Sequence, residues 1–442
     1  MRKIPLTISD FSGGIWSKSS PTSVPANSLY DAQNVIFDDG APISRRWGHS
    51  PWTTSNIASR PIRTIFPWDR ASGTRVVLVS VRNGATNETW SINDGGEPSS
   101  AVITGATGFS TTYEQEFAAS LDNVYVSNGV EATQRYDGST MAASGVDGTT
   151  PGAPTVAVAA LATGIPNGTY QYSVSFVYGI RGESLAGTQS GNVTTSAGNQ
   201  QVDLTGIPTA LTGNPTRRIY RRDTAATTNP RVFVGELLDN TTTILSDSNA
   251  NLDNSRRART TSATPPTCRY VAWHSGWNRM FYAWQSGDRS RWWYSELRTP
   301  DIVLTANTEY LSRDDGQEIT GLVPFRGGLV MFKTRGTYIL EGTGPGDWNM
   351  RTIDRRVGCS HARSIQPTPR GVIFAGQEGI WLFDGVGLKY LSEGIENDWK
   401  KILQAWSSEG RYTWTNQFDW IQSAQSSNVT PGVGLIAGTF GE

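Results

Sequence analysis

Apolar and polar positions alternate in short bursts along the chain, and one pattern recurs five times: an apolar strand, a Gly-containing turn, a second strand and a polar stop, often acidic-Gly. The copies begin at Val76–Val79, Val124–Val126, Arg279–Trp284, Leu329–Phe332 and Val372–Phe374. They end at Trp90–Gly95, Gln134–Gly138, Trp292–Ser295, Tyr338–Gly342 and Ile380–Gly385. Their central apolar residues, Val77, Val124, Met280, Val330 and Ile373, stand 47, 156, 50 and 43 residues apart. Further apolar segments precede most copies, as at Ile62–Phe66, Tyr270–Trp273 and Ile319–Phe325. Several short strands every ~40 to 50 residues, with no amphipathic helix between them, predict an all-β chain folded as a β-propeller of about five or six blades. A sixth blade would be shared between the two ends. A sandwich of unrelated hairpins is the competing explanation, and the regular spacing disfavours it.

The long interval holds about 110 residues more than the others, so a second unit interrupts the repeat. It opens at Pro151–Pro154 and closes near Pro265–Pro266. Inside it, Tyr170, Tyr172, Val174 and Phe176 alternate onto one strand face. Strand-like runs follow at Gln201–Leu204, Arg218–Arg221, Val232–Val234 and Thr243–Leu245. This predicts an inserted immunoglobulin- or fibronectin III-like β-sandwich without a disulfide. The paired arginines Arg217–Arg218 and Arg221–Arg222 are expected on a solvated strand face, with a contact stripe as the alternative. The expected division is an extended N-terminal arm at 1–61, propeller at 62–150, insertion at 151–264, propeller again at 265–400 and a closing segment at 401–442. The arm is expected to carry a strand at Asn34–Phe37 and a turn at Asp39–Gly40.

Composition supports strands and turns. Of 442 residues 17% are charged, below the roughly 25% usual in globular domains, with 47 Gly, 22 Pro and a net charge of −1. Near-neutrality excludes bulk charge as a means of gripping nucleic acid or an acidic membrane. No apolar run approaches the roughly 20 residues of a membrane span, and no secretory leader follows the basic start. Cys268 and Cys359 read as small core residues. Six lysines stand against 32 arginines, a bias suited to a large assembly interface and equally explained by genomic base composition.

The pattern Phe-x-Gly-Gly-Ile at Phe11–Ile15 is followed by Val24-Pro25, by Ala32-x-Asn34-Val35-x-Phe37-Asp38-Asp39-Gly40 and by Ser44-Arg45-Arg46-x-Gly48. Together with Trp293–Glu296, Gly321–Lys333 and Val357–Ser360, it resembles the β-propeller proteins that form the tail nozzle, or tail tubular protein, of short-tailed bacteriophages. The resemblance covers about three quarters of the chain and rests on structural motifs. It implies a virion protein of the phage tail, six copies forming a ring below the portal and its adaptor, or head-tail connector. The ring would enclose the DNA exit channel without sequence-specific binding and carry tail fibres or spikes. Phe11, Ile15, Trp16, Val35, Phe37 and Trp47 are candidate interface anchors, as are Arg45 and Arg46. Whether Arg45, Arg46, Arg355 or Arg356 line the channel stays open.

Chemistry is sparse. His49, His274 and His361 are scattered, and no Walker A loop, G-x-S-x-G elbow, G-x-G-x-x-G fingerprint or metal-spaced cluster occurs. No catalytic, cofactor-binding or metal residue is assigned, and the chain is expected not to be an enzyme. A propeller glycosidase is the best enzymatic alternative, with 16 Trp as sugar platforms and Asp314–Asp315 in a partial Asp-box. Trp292 and Trp293 cannot share one strand face, so one is expected to be exposed or in an interface. A peripheral receptor- or glycan-binding tail protein is the alternative from another class.

Overall fold

The computed structural model describes residues 11–399, apart from 19, 33, 38–42, 47–51, 54–56, 58–59, 94–96, 98–101, 149, 212, 226–229 and 314. Trp47, His49, the Asp39–Gly40 turn, Asp314 and the closing segment 401–442 lie outside the described residues.

The fold is all-β, built from small antiparallel sheets. Among the described residues, five sheets have four strands each, taken consecutively along the chain. The first comprises Ile62–Asp69, Arg75–Asn83, Thr86–Asn93 and Phe109–Ser110. Glu116–Ser120, Asn123–Ser127, Gln134–Tyr136 and Met141–Ala143 make the second. In the third are Tyr270–His274, Arg279–Gln285, Asp288–Tyr294 and Thr308–Tyr310. The fourth runs through Ile319–Phe325, Gly328–Lys333, Gly336–Glu341 and Asn349–Asp354, and the fifth through Gln366–Pro367, Val372–Ala375, Ile380–Phe383 and Leu388–Tyr390. All five hairpins read from the sequence lie inside these sheets. Two-residue turns set the register: Leu121–Asp122 and Arg326–Gly327 have positive φ at both positions, the geometry whose twist matches flanking antiparallel strands.

Each sheet packs on the next through its own apolar core. Trp68, Val76 and Leu78 of the first meet Val124, Val126 and Tyr136 of the second. Ala118 and Tyr125 then meet Val271, Met280 and Tyr282 of the third. Tyr270, Phe281 and Trp292 meet Leu329, Met331 and Leu340 of the fourth, whose Val330 and Phe332 meet Val372, Phe374 and Phe383 of the fifth. Intermediate sheets are therefore covered on both faces, so successive residues of one strand are both buried. Trp292 and Trp293, 3% and 6% exposed, point to opposite faces and enter two different cores. The expectation that one is exposed or in an interface fails, because it assumed a sheet with a single covered face.

Between the second and third sheets the chain builds two further sheets. One holds Thr155–Ala159, Gln201–Thr205 and Leu245–Asp247; the other holds Val193–Thr195, Gly168–Val177, Thr216–Asp223 and Val232–Leu237. Tyr170, Tyr172, Val174 and Ile219 of one share a core with Val202 and Leu204 of the other. Counted within the unit, the strand orders are 1-4-7 and 3-2-5-6. These differ from the ABED and CFG order of an immunoglobulin constant-type sandwich.

The arginines on Thr216–Asp223 overturn a second expectation. Arg217 is completely buried and Arg221 is 6% exposed. Arg217 pairs with Asp239 at 2.9 Å and donates to the Asp239 carbonyl at 3.0 Å. Arg221 pairs with Asp247 at 2.9 Å, an aspartate that also accepts from the Tyr172 hydroxyl at 2.8 Å. Strand alternation puts these two inside and leaves Arg218 and Arg222 half-buried on the other face. The guanidiniums are tolerated inside because carboxylates and carbonyls satisfy them.

Candidate functional site

The arm residues form a clasp rather than a free tail. Gly14 has φ +64°, and a Cβ on Gly13 would lie 2.1 Å from the Ser28 hydroxyl, so the Gly-Gly pair is what permits the turn. That turn brings Trp16 N–H to the Leu29 carbonyl at 2.8 Å and Leu29 N–H to the Gly14 carbonyl at 2.9 Å. Ser17 N–H then donates to the Gly394 carbonyl at 2.8 Å. The Asn397 amide donates to the carbonyls of Ser17 and Lys18, Lys18 pairs with Glu393 at 3.0 Å, and the Ser17 hydroxyl donates to Asp398. Gly394 has no room for a side chain, since a Cβ would sit 2.8 Å from the Ile15 carbonyl. The stretch of arm at Ile15–Lys18 is thus fastened just beyond the fifth sheet.

The other candidates fall nearby in sequence. Val35–Ile36 pairs with Ser44–Arg45, and Arg46 N–H donates to the Asn34 carbonyl at 2.8 Å. Phe11, Ile15, Trp16, Val35 and Phe37 are half-buried, whereas Arg45 and Arg46 are exposed. Arg355 and Arg356 are exposed as well. The structure brings Ile15 and Trp16 against Gly394 and pairs Val35 with Arg45.

The first strands of all five sheets, or the turn just before, line one cavity of about 690 Å³. Its polar residues include Arg63, Thr64, Glu116, Arg363 and Gln366, and Phe66, Pro67, Trp273, Pro324 and Pro367 are among the apolar ones. Arg363, in the turn before the fifth sheet, donates to the Arg63 carbonyl and the Thr64 hydroxyl of the first, and pairs with Glu114 at 3.0 Å. This polar join is where the fifth sheet meets the first. Burial pushes the Glu116 carboxyl up, opposed by Arg363 and Arg269, and pushes the Arg63 guanidinium down. Sequence reasoning missed this cluster, because Arg63, Glu114, Glu116 and Arg363 carry no motif and meet only when the first and last sheets come together.

No family model matches the chain, and no curated protein matches it. Among solved structures, it is similar to Kluyveromyces lactis Hsv2 at 10% identity and a TM-score of 0.22, covering 66% of this chain and 73% of that one. It is also similar to PorZ, a surface component of the type-IX secretion system of Porphyromonas gingivalis, at 9% identity and a TM-score of 0.21. That match covers 78% of this chain and 49% of PorZ. A third, described as a eukaryotic initiation factor, has 12% identity and a TM-score of 0.21, covering 78% and 91% of the two chains. Likeness at this level carries no argument about the chain's role.

Cys268, Cys359, His274, His361 and Asp315 each have a partner within the fold. Cys268 and Cys359 are fully buried, and burial pushes both thiols up to about 12. The Cys359 thiol donates to the His361 carbonyl at 3.0 Å, and His361 Nδ1 accepts from Arg363 N–H at 3.2 Å. His274 accepts from Trp277 N–H at 3.0 Å and stacks on its indole. Asp315 of the partial Asp-box accepts from the fully buried Lys333 ammonium at 2.8 Å, which also reaches Ser290 and the Ser312 carbonyl. That residue bridges the third and fourth sheets. Among the described residues no group of three His, Cys, Asp or Glu is placed to hold a metal ion, and no helix is long and apolar enough to cross a membrane.

The inserted unit is docked rather than tethered. Asp147 accepts from Arg259 at 2.8 Å, from Ala263 N–H at 2.9 Å and from Leu185 N–H at 3.0 Å, tying both ends of the insertion to its interior. Asp301, fully buried, accepts from the Tyr125 hydroxyl at 2.8 Å and from Gly145 N–H at 2.6 Å, while Arg181 stands 3.5 Å away. Val146, Ala263 and Ile302 close a small apolar core there, against Tyr178 of the insertion.

Proposed function

We propose that this chain is a structural, non-enzymatic protein of a short bacteriophage tail. The five four-stranded sheets outside the inserted unit form the blades of a β-propeller around the shared cavity, and the inserted unit is a β-sandwich of its own strand order. Six copies close a nozzle ring below the portal and adaptor, enclose the DNA exit channel and offer docking for fibres or spikes. The observation that carries this reading is the clasp. The Phe-x-Gly-Gly-Ile segment, one of those that carry the family resemblance, fastens the chain beyond its fifth sheet, and Tyr30, Arg45, Arg46 and Trp52 are exposed for contacts outside the chain. Intermediate blades covered on both faces and an insertion locked at Asp147 and Asp301 give the stiff wedge that ring closure requires. The cavity's ion cluster and the buried Lys333 are spent on joining sheets, in keeping with a mechanical role.

Cryo-electron microscopy of the assembled particle tests the proposal. Six copies around the channel, with arms at the ring above, are the expected result; three copies at the periphery overturn it.

A further inference from the structure

We propose that the cavity shared by the five first strands binds a small apolar carboxylate, of the class of a medium-chain fatty acid, whose head group takes a hydrogen bond from the protonated Glu116 carboxyl. The inference needs the cavity alone and goes beyond the nozzle reading.

The polar end of the cavity is only partly used in joining the first sheet to the fifth. Arg63 and Arg363 share one carboxylate there, Glu114, at 4.0 and 3.0 Å. Glu116 lines the cavity, and among the described residues it accepts no hydrogen bond and stands in no ion pair. Arg269, just before the third sheet, is likewise without a carboxylate partner among the described residues; it lies over the rings of Tyr113, Tyr270 and Trp284 at 4.4, 5.1 and 5.6 Å. The charges of Arg363 and Arg269 both act on Glu116. Three guanidiniums against two carboxylates leave this end positive, which favours an anion and disfavours an ammonium. Burial and the like charge of Glu114 push the Glu116 carboxyl up, and the carboxylate of a ligand adds another like charge, so one proton is shared between the two. The protonated carboxyl is then the donor and the ligand the acceptor. The other titratable groups around this end keep their state near neutral pH. Burial pushes Tyr270 up and Cys359 up to about 12, His361 is pushed down to about 3, and Glu318 accepts from Trp284 Nε1 at 2.9 Å and pairs with Arg289.

Beyond this end the walls are apolar. The Thr64 hydroxyl donates to the Gln115 carbonyl at 3.0 Å and Phe66 stacks on Phe117 at 5.6 Å, so these two strands run side by side from the polar end to the apolar one. Phe66, Trp273, Leu322 and Ile365, from four different sheets or the turn before them, line the cavity and are only partly covered by the inter-sheet cores they flank. Pro67, Pro324 and Pro367 continue the wall, and proline offers a ligand no N–H. Half-buried apolar side chains around one hollow call for an apolar occupant, and about 690 Å³ is the size of a small-molecule site. Glu116 to Ala119 spans about 10 Å at the rise of a strand, room for an acyl chain of about eight carbons.

Isothermal titration calorimetry of the full-length chain with octanoate, and with octylamine for comparison, tests the inference. Octanoate is expected to bind once per chain and take up about one proton, so its affinity rises by up to about tenfold per pH unit of acidification from about pH 8 to about pH 6. Octylamine should bind at least about tenfold more weakly. Glu116→Gln keeps a neutral donor, so binding should persist while the proton uptake and the pH dependence disappear. Ala119→Phe fills the apolar part and should weaken binding by about tenfold or more, with a thermal transition that shows the variant folded. Octanoate that fails to bind at about pH 6, octylamine that binds more tightly, or a pH dependence that survives in Glu116→Gln overturns the proposal. So does binding lost altogether in folded Glu116→Gln, or binding unchanged in Ala119→Phe, which would place the acid outside the cavity. None of these outcomes bears on the six-fold symmetry test, so failure here and failure of the nozzle reading are separable.

Discussion

Arg217 is among the largest fully buried side chains, and its guanidinium also reaches toward the Pro208 carbonyl at 3.3 Å. Arg217→Ala leaves carbonyls without their donor, so we expect a loss of about 2 kcal/mol or more of stability, read by denaturant unfolding. Arg222→Ala, on the half-buried face, should stay within about 0.5 kcal/mol. Equal effects would contradict the burial pattern. His361 supplies a pH prediction. Burial, reinforced by Arg363 and Arg269, pushes its imidazole down to about 3 from an ordinary value of 6.5. Between those values the unfolded chain binds a proton that the folded chain does not, so stability falls as pH drops through that window and is regained above it. The slope from this group is about 1.4 kcal/mol per pH unit. His361→Asn keeps an acceptor for Arg363 N–H and removes the titration; its stability between pH 4 and 6.5 should be flatter than that of the unmodified chain by that amount. An unchanged slope in denaturant titrations would refute the assignment.

At the scale of elements, two-sided burial decides the behaviour of each strand. Trp292→Ala and Trp293→Ala should each lower stability by about 3 kcal/mol or more, since each leaves a hole in a different inter-sheet core. A strand with one solvated face would tolerate one of the two, and that outcome in thermal unfolding would show the sheet to be uncovered. The hairpins were legible because Val, Ile and Tyr runs separated by Gly turns need only local sequence to define them. The identity of each strand's second partner was not, because it depends on which sheet comes to lie alongside.

For the whole molecule, the stiffness of the insertion is the testable property. Asp147, just before the inserted unit opens, receives hydrogen bonds from Arg259 and Ala263 where the unit closes and from Leu185 in its interior. Asp147→Ala should free the unit to swing while leaving its own core intact. Limited proteolysis should then cut near residues 145–151 and 259–263 several times faster, and small-angle scattering should show a larger radius of gyration. Unchanged cleavage would mean that Asp301 and the apolar contacts of Ile302 hold the unit without it.

By itself the sequence determined the strand-rich class and the five hairpins, because each depends on neighbours within a few residues. Tertiary structure decided the rest. Trp292 and Trp293 became core together, Arg217 went inside while Arg218 did not, and Arg363 met Arg63 and Glu114 across some 250 to 300 positions of chain. Such outcomes depend on which sheet covers which face and where the two ends of the chain meet. Alternation along a strand says which residues share a side; only packing says whether that side sees water.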